Sequence, residues 1–344
     1  MDLMCLNDAF ECVGYLPYLH LMWTRRYYDC GEFSAQLRAE DYDPEVRYLY
    51  TPDRPEIGVV EKLHTESDIT GRYVQISGRF LESMLDRDVI WPKFKKTGQP
   101  SKLAHALVEG RADSIPSLSV SAYSLDASDE EETDCDYCGD QLDEVTWALL
   151  KLSGKSQRLV YDFDAGRIRY SVWQGLDRTQ SQNVNAYALF SDLSGNTERI
   201  TLDEDESGYR NMALIALSDK ETITVDQRKA GEASRWIFVD AIDGSPSGGQ
   251  TEAQYRSALR LKAMQELARW PKVISIEAAT IQSGLLYLRD YDLGDLCDVV
   301  SNEYGKSYES RIVEIREVFK EGQHEVEIVF GDKIPTVYER MRNL

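Results

Sequence analysis

Residues 26–33 read Arg-Tyr-Tyr-Asp-Cys-Gly-Glu-Phe, and residues 289–296 read Arg-Asp-Tyr-Asp-Leu-Gly-Asp-Leu. Both segments fit the pattern R-x-Y-D-x-G-[ED]-[FL], in which Asp and Gly favour a tight turn and the last apolar residue opens a strand. The shared polar and glycine positions are Arg26, Tyr28, Asp29, Gly31 and Glu32, and then Arg289, Tyr291, Asp292, Gly294 and Asp295. This repetition predicts two similar β units in one chain.

A hairpin-like segment near each copy supports the same prediction. Val60 and Gly78 are 18 residues apart, and so are Val313 and Gly331. If the duplication is real, the strands around the two turns superpose in the same order. The alternative is chance, because Tyr-Asp-x-Gly is a common turn and the gap between turn and hairpin differs between the two copies.

The rest of the chain predicts a β-rich α+β fold. Short alternating strands dominate both ends, and a helix that Pro271 ends lies before the last strands. We expect five parts: a first β domain at 1–95, a mixed α/β region at 96–245, a linker and helix at 246–272, a second β domain at 273–334 and a tail at 335–344.

An acidic segment divides the mixed region. Residues 126–144 contain ten Asp or Glu and no Lys or Arg, which predicts a peripheral, mobile loop that the fold does not need. Within it, the spacing of Cys135 and Cys138 suits one edge of a tetrahedral zinc site. A second cysteine pair is missing, so an ordinary loop is the alternative interpretation.

Composition limits the function. The 344 residues carry 60 acidic and 39 basic side chains, a net charge of −21, which repels nucleic acid phosphates and anionic lipid. The first residues lack the basic and apolar stretches of a secretory signal, and six scattered cysteines suit a reducing cytosol. We therefore expect neither sequence-specific nucleic acid binding nor a membrane anchor.

No motif indicates catalysis. Gly154-Lys155-Ser156 lacks the first glycine of a phosphate-binding loop, because Leu149 stands at that position. His324-Glu325 has no second histidine at metalloprotease spacing. We predict a non-enzymatic protein without a required cofactor. A cell-wall hydrolase and a β-rich carbohydrate-binding module are the alternatives.

Several segments in order resemble one protein family. They are residues 23–33, 57–61, 76–81, 85–90, 175–183, 189–192, 209–213, 238–241 and 291–296. Together they are similar to the siphophage and prophage tail hub family, relatives of the baseplate hub proteins of contractile tails. The cysteine-containing acidic segment departs from that family.

This resemblance implies two tube-like β-barrels per subunit and assembly as a homotrimer. Three duplicated subunits would present six similar units to a sixfold tail tube. The implied partners are the distal tail protein ring, the tape measure protein and receptor-binding or fibre proteins. DNA would pass through the channel without specific binding. The expected location is the virion tail tip, assembled in the bacterial cytoplasm.

Overall fold

A computed structural model describes residues 1–68, 71–218, 220–242, 251–320 and 322–331. The predicted tail at 335–344, and residues 246–250 of the predicted linker, lie outside these ranges. The fold is β-rich α+β, as the sequence predicts, with 22 strands and three α-helices in the described parts of the chain. No helix in these parts is long and apolar enough to cross a bilayer.

The strands up to residue 191 are β1 (Met4–Leu6), β2 (Cys12–Tyr15), β3 (His20–Arg26), β4 (Glu32–Arg38), β5 (Tyr48–Tyr50), β6 (Ile57–Val59), β7 (Lys62–Asp68), β8 (Gly71–Arg79), β9 (Phe94–Gly98), β10 (Leu118–Val120), β11 (Thr133–Tyr137), β12 (Ser156–Asp162), β13 (Arg167–Trp173) and β14 (Leu189–Ser191).

The later strands are β15 (Thr197–Asp205), β16 (Met212–Ala216), β17 (Thr222–Asp226), β18 (Trp236–Asp240), β19 (Val273–Thr280), β20 (Leu296–Ser301), β21 (Lys306–Lys320) and β22 (Gln323–Gly331). The α-helices are α1 (Pro100–Glu109), α2 (Leu142–Leu152) and α3 (Glu252–Ala268). Short 3-10 helices span Ala39–Asp41, Leu81–Arg87 and Ala112–Ser114.

Packing divides the chain into two compact units. The first contains residues 1–200 and 277–330, and the second contains residues 201–276 and Gly331. The five-part division expected from the sequence stays a prediction about the assembled protein.

The largest sheet has ten strands, and its main path runs β15-β19-β22-β21-β3-β4-β8-β7. The path consists of two successive halves. Each half has four strands: β15, β19, β21 and β22 form one, and β3, β4, β7 and β8 form the other. In both halves the last two strands in chain order exchange places in the sheet, which gives β15-β19-β22-β21 and β3-β4-β8-β7. The sheet therefore repeats one topology twice, edge to edge.

The hairpins of the two halves also share their register. Lys62 pairs with Ser77 and Asp68 with Gly71 in one half. Glu314 pairs with Val329 and Lys320 with Gln323 in the other. One further antiparallel pair precedes each hairpin in the chain. Before β7 it is β5 with β6, which belong to a separate four-stranded sheet of order β2-β1-β5-β6, and in the other half it is β20 with the first part of β21.

This register corrects the expected match between the hairpins. Lys62–Ser77 corresponds to Glu314–Val329, which brings Gly78 onto Phe330 and not onto Gly331. The equal spacing of Val60–Gly78 and Val313–Gly331 is thus offset by one residue from the pairing in the sheet, and β21 has a bulge between Ile312 and Glu314 that β7 lacks. A one-residue slip would turn every side chain to the other face.

The acidic segment is not the mobile loop that its composition predicts. Its residues form β11, which pairs with β9, and the start of α2. Ala127, Cys135 and Leu142 are buried. The counter-charges come from elsewhere in the chain: Lys93 and Lys95 pair with Asp136, and a buried Lys155 pairs with Glu130.

The second unit is a small α+β layer. Its sheet has the order β17-β16-β18, with β18 parallel to β16. Helix α3 packs on β16 and β17 through Leu259, Ala263 and Leu267, which join Ala213 and Ile215 in one apolar cluster. The predicted helix at the end of the mixed region is therefore present and covers this sheet.

Candidate assembly site at the junction of the sheet halves

The two halves of the large sheet meet where β3 pairs with β21. The pairing is antiparallel and runs from Arg26 opposite Glu314 to His20 opposite Lys320. The amide of Tyr27 continues it by donating to the carbonyl of Val313 (2.9 Å). Two strands that are 280 residues apart in sequence thus form one continuous sheet. We call the ion pairs beside the β3–β21 strand pair the junction network.

Arg25 is the centre of the junction network. It lies on β3, and its side chain is fully buried. Its Nε donates to Glu56 Oε1 (2.9 Å), and its Nη1 donates to Tyr287 Oη (2.8 Å) and to Asp292 Oδ1 (2.5 Å). One guanidinium on β3 therefore binds groups from the segment before β6 and from the segment between β19 and β20.

Arg54 forms a second link of the same kind. Its Nε and Nη2 donate to the two carboxylate oxygens of Glu317 on β21 (2.9 and 2.7 Å), with both side chains buried. The guanidinium also lies 5.0 Å from the ring centre of Tyr287. His324 contacts Glu317 from the other side, with 3.0 Å between Nε2 and Oε2.

The electrostatics of the junction network favour its ionised form. Burial alone would raise the pKa of Glu317, but the hydrogen bonds from His324 and Arg54 outweigh it and lower the pKa. Burial would lower the pKa of Arg25, yet Glu56, Tyr287 and Asp292 raise it well above the usual range. The charges stay paired, so removing one partner would leave the other buried and uncompensated.

The two R-x-Y-D-x-G segments contact each other in the structure. The first segment connects β3 to β4, whereas the second precedes β20, which pairs with β21. Gly294 has φ +84°, and a side chain there would collide with the ring of Tyr27 from the first segment (2.4 Å). The expected superposition of the two segments is therefore wrong: they are adjacent parts of one junction, since the first joins the first two strands of its half, β3 and β4, and the second lies between β19 and β20.

The turn chemistry of the two segments is nevertheless similar. Asp29 accepts a hydrogen bond from the amide of Cys30, and Asp292 accepts one from the amide of Leu293 (both 2.7 Å). Gly31 needs no positive φ, but a Cβ there would lie 2.5 Å from both Phe80 and the carbonyl of Thr24. Both glycines allow a close approach that a side chain would block.

The remaining shared positions have separate roles. Arg26 binds Glu32 and Glu314. Asp295 is buried and accepts from the amide of Leu176 and from Arg178 Nε. The other shared side chains differ in exposure and contact: Tyr28 packs on Tyr27, Tyr291 is buried against Phe190, and Arg289 pairs with Asp290 at the surface.

The cysteine pair lies in a different part of the fold. Cys135 is buried on β11 and Cys138 is exposed beyond its end, and neither is in a disulfide. Burial raises the pKa of the Cys135 thiol to about 11, which disfavours the thiolate that zinc requires. The described residues contain no group of three or more His, Cys, Asp or Glu that could hold a metal ion. Zinc binding by this pair remains a prediction from spacing.

Sequence reasoning missed the residues that carry the junction network. Arg54, Glu56 and Glu317 belong to no local motif, and Arg25 lies in the segment 23–33 without any pattern that indicates its role. The arginines find their carboxylate partners 31 to 267 residues away. One signal was available: Arg25 and Glu317 occupy inward positions of strands whose neighbours on that face are apolar.

The ends of the sheet are open. Strand β7 is its last strand on one side, and β15 is the last on the other, so each presents backbone groups that no described strand pairs. Residues 62–67 of β7 are exposed on both faces. An edge of this kind is a template for pairing with another chain.

The architecture is that of phage and prophage tail proteins. It is similar to a tail protein from Neisseria meningitidis MC58 (TM-score 0.59, 14% identity, 96% of each chain) and to the 43 kDa tail protein of prophage MuSo2 from Shewanella oneidensis (TM-score 0.59, 14% identity, 96% of this chain and 98% of the other). It also resembles the prophage tail protein gp18 of Listeria monocytogenes EGD-e (TM-score 0.54, 14% identity, 99% and 98%).

The chain belongs to the family of siphovirus ReqiPepy6 Gp37-like proteins, whose model matches residues 3–332. A comparison with curated protein sequences gives no match. The resemblance to phage tail proteins that the sequence motifs suggested is thus confirmed in fold and in family.

Proposed function

We propose that this protein is a non-enzymatic hub of a phage or prophage tail tip, in which three copies join edge to edge into a ring. The observation that carries the proposal is the repeated strand order of the large sheet. Within the chain, β21 of one half pairs with β3 of the other half. In the repeated strand order, β7 corresponds to β21 and β15 corresponds to β3. By the same pairing, β7 of one subunit would pair with β15 of the next subunit.

Three subunits joined this way contain six sheet halves around one axis. Such a ring offers a near-sixfold surface to a tail tube and a threefold surface to the tip below it. The two tube-like β-barrels expected per subunit would then be two of the six segments of one barrel that closes only in the trimer. The distal tail protein ring and the tape measure protein would be the upper partners, and receptor-binding or fibre proteins the lower ones.

The open face of the sheet fits a channel for DNA. It carries small polar and mixed residues: Met22, Ser34 and Ser77 follow one another across three strands. Its Arg316 is balanced by Glu314 and Glu327. A channel lined this way would let DNA pass without specific binding, because paired charges do not trap phosphates as a lysine or arginine ring would.

Two adjacent proline variants on β7 test the ring. Successive residues of a strand direct their N–H groups to opposite sides. Of the two variants Thr65→Pro and Glu66→Pro, one therefore removes an amide of the free edge and the other removes an amide that is bonded to β8. Native mass spectrometry should show trimers for the natural protein. The variant at the free edge should give monomers with unchanged thermal stability, and the other should lose stability.

Retention of the trimer in both variants would show that β7 does not close the ring. A natural protein that stays monomeric at the highest soluble concentration would contradict the proposal altogether. Peptidoglycan zymography provides a separate check on the non-enzymatic role, since a lysis zone lost on a single Asp or Glu substitution would make the protein a hydrolase.

A further inference from the structure

We infer that the second unit binds an extended, acidic segment of a partner protein along the free edge of β18. The inference concerns a surface that the proposed ring does not use. It depends on three features of residues 201–276: an unprotected strand edge, an apolar cleft beside that edge and an excess of positive charge at the rim of the cleft.

The free edge of β18 follows from its hydrogen bonds. The amide of Met212 donates to the carbonyl of Arg235, and the amide of Ala241 donates to the carbonyl of Ala216 (both 3.0 Å). In a parallel pair, alternate residues bond to the same neighbour. Ile237 and Val239 therefore bond to β16, and the N–H and C=O groups of Trp236, Phe238 and Asp240 point outward, where no described strand pairs with them.

This edge lacks the features that usually protect an edge strand. Its sequence, Trp-Ile-Phe-Val-Asp, contains no proline, lysine or inward charge. Phe238 is 62% exposed and Trp236 is 47% exposed, although both are large and apolar. Exposed aromatic residues beside unpaired backbone groups indicate a surface that another chain covers.

A cleft of about 430 Å³ runs along the same edge. Ile237 and Phe238 line it from β18. On the other side it is lined by Lys262 and Glu266 from α3, and by Trp270, which follows the helix. Helix α3 packs on β16 and β17, which leaves this space open beside β18. The cleft can hold the apolar side chains of a strand added to β18, since such side chains alternate between the two faces.

The charged side chains at the rim of the cleft favour a partner segment of negative charge. Lys262 and Arg210 both border the cleft and have no ion pair with any described carboxylate, whereas Glu266 is paired with Arg269. The rim is therefore positive in a chain of net charge −21. A segment with alternating apolar residues and terminal carboxylates complements both the apolar floor and the rim.

Fluorescence anisotropy with labelled seven-residue peptides tests the inference on the full chain. The probe is Asp-Val-Thr-Val-Thr-Val-Asp, and the matched control replaces both Asp with Lys. The acidic peptide should bind at least tenfold more tightly than its control, and Lys262→Glu should reverse the preference. Phe238→Pro should abolish binding because it removes an outward N–H, while Phe238→Val should keep part of it.

Equal binding of the two peptides, or unchanged binding to the Phe238→Pro variant, would overturn the inference. So would binding that appears only after residues 332–344 are deleted, because the edge would then belong to the chain's own end. A cell-wall oligosaccharide that binds the natural protein and the Phe238→Pro variant alike, but not Trp270→Ala, would assign the cleft to a glycan instead.

Discussion

Arg54 and Glu317 are joined by two parallel hydrogen bonds of 2.9 and 2.7 Å although 263 residues separate them. Arg54 lies between β5 and β6, two strands of the four-stranded sheet, and Glu317 lies on β21 of the large sheet, so this buried pair links the two sheets next to the strand pair β3–β21. Bidentate Arg–carboxylate pairs fix geometry as well as charge. The pair therefore fixes how the segment between β5 and β6 aligns with β21.

Breaking this pair from one side should be costly. Arg54→Met leaves the carboxylate of Glu317 buried without its main partner, and the expected loss is about 3–5 kcal/mol in the free energy of unfolding. Arg228→Met is the control, since solvent screens the exposed pair of Arg228 with Asp226 and its loss should change stability far less. Urea denaturation measures both.

The double variant Arg54→Met with Glu317→Met should recover much of that loss, because it leaves no uncompensated charge. If the double variant is as unstable as the sum of the single variants, the two side chains are not energetically coupled and the assignment of the pair as a link between the two sheets is wrong.

Gly294 provides a test of the contact between the two turn segments. Gly294→Ala should destabilise the fold by several kcal/mol, because it adds a collision with Tyr27 to an unfavourable positive φ. Gly139→Ala is a matched control: Gly139 has a similar φ of +86°, but open space where the methyl group would be. Thermal unfolding should show a clearly smaller loss for Gly139→Ala, and equal losses would mean that φ alone matters.

Glu82 should make stability depend on pH near neutrality. It is buried, which raises its pKa to about 7 despite the hydrogen bond from the amide of Leu159. A carboxyl group whose folded pKa is raised contributes stability below its unfolded value of about 4.3, and that contribution is lost as the pH rises towards 7. The loss corresponds to about 4 kcal/mol at most.

Glu82→Gln should therefore be more stable than the natural protein at pH 8 and similar to it at pH 4, with the exposed Glu45→Gln as control. Denaturant midpoints measured across this range decide the matter. A Glu82→Gln variant that is less stable at pH 8 would show that the carboxylate is ionised and paired in the folded protein.

The acidic segment should be required for folding. Glu130→Gln removes the partner of the buried Lys155 ammonium, and the expected cost is several kcal/mol. Glu131→Gln, at the next position, changes an exposed side chain and should cost less than about 0.5 kcal/mol. Indistinguishable unfolding curves for the two variants would restore the interpretation of a dispensable loop.

Local sequence patterns predicted the secondary structure better than its pairing. The alternation in residues 72–79 predicted β8, and Pro271 marked the end of the helical stretch that forms α3. The repeated turn segments correctly indicated turns, because Asp29 and Asp292 both bind the amide that follows them. Their equivalence failed because strand order depends on pairing between distant segments, which no local pattern encodes.

The same limit explains the acidic segment. Its composition predicted repulsion, and the carboxylates do lack basic neighbours in sequence. Lys93 and Lys95 reach Asp136 only because β9 pairs with β11, and Lys155 reaches Glu130 from the start of β12. Charge runs therefore predict exposure only where the fold supplies no counter-charge.

Cryo-electron microscopy of the purified, assembled protein tests the central claim most directly. The account predicts a threefold ring in which β7 of each subunit pairs antiparallel with β15 of its neighbour, so that six sheet halves surround one channel. A reconstruction in which both edge strands remain unpaired, or in which the subunits assemble through other surfaces, would contradict it.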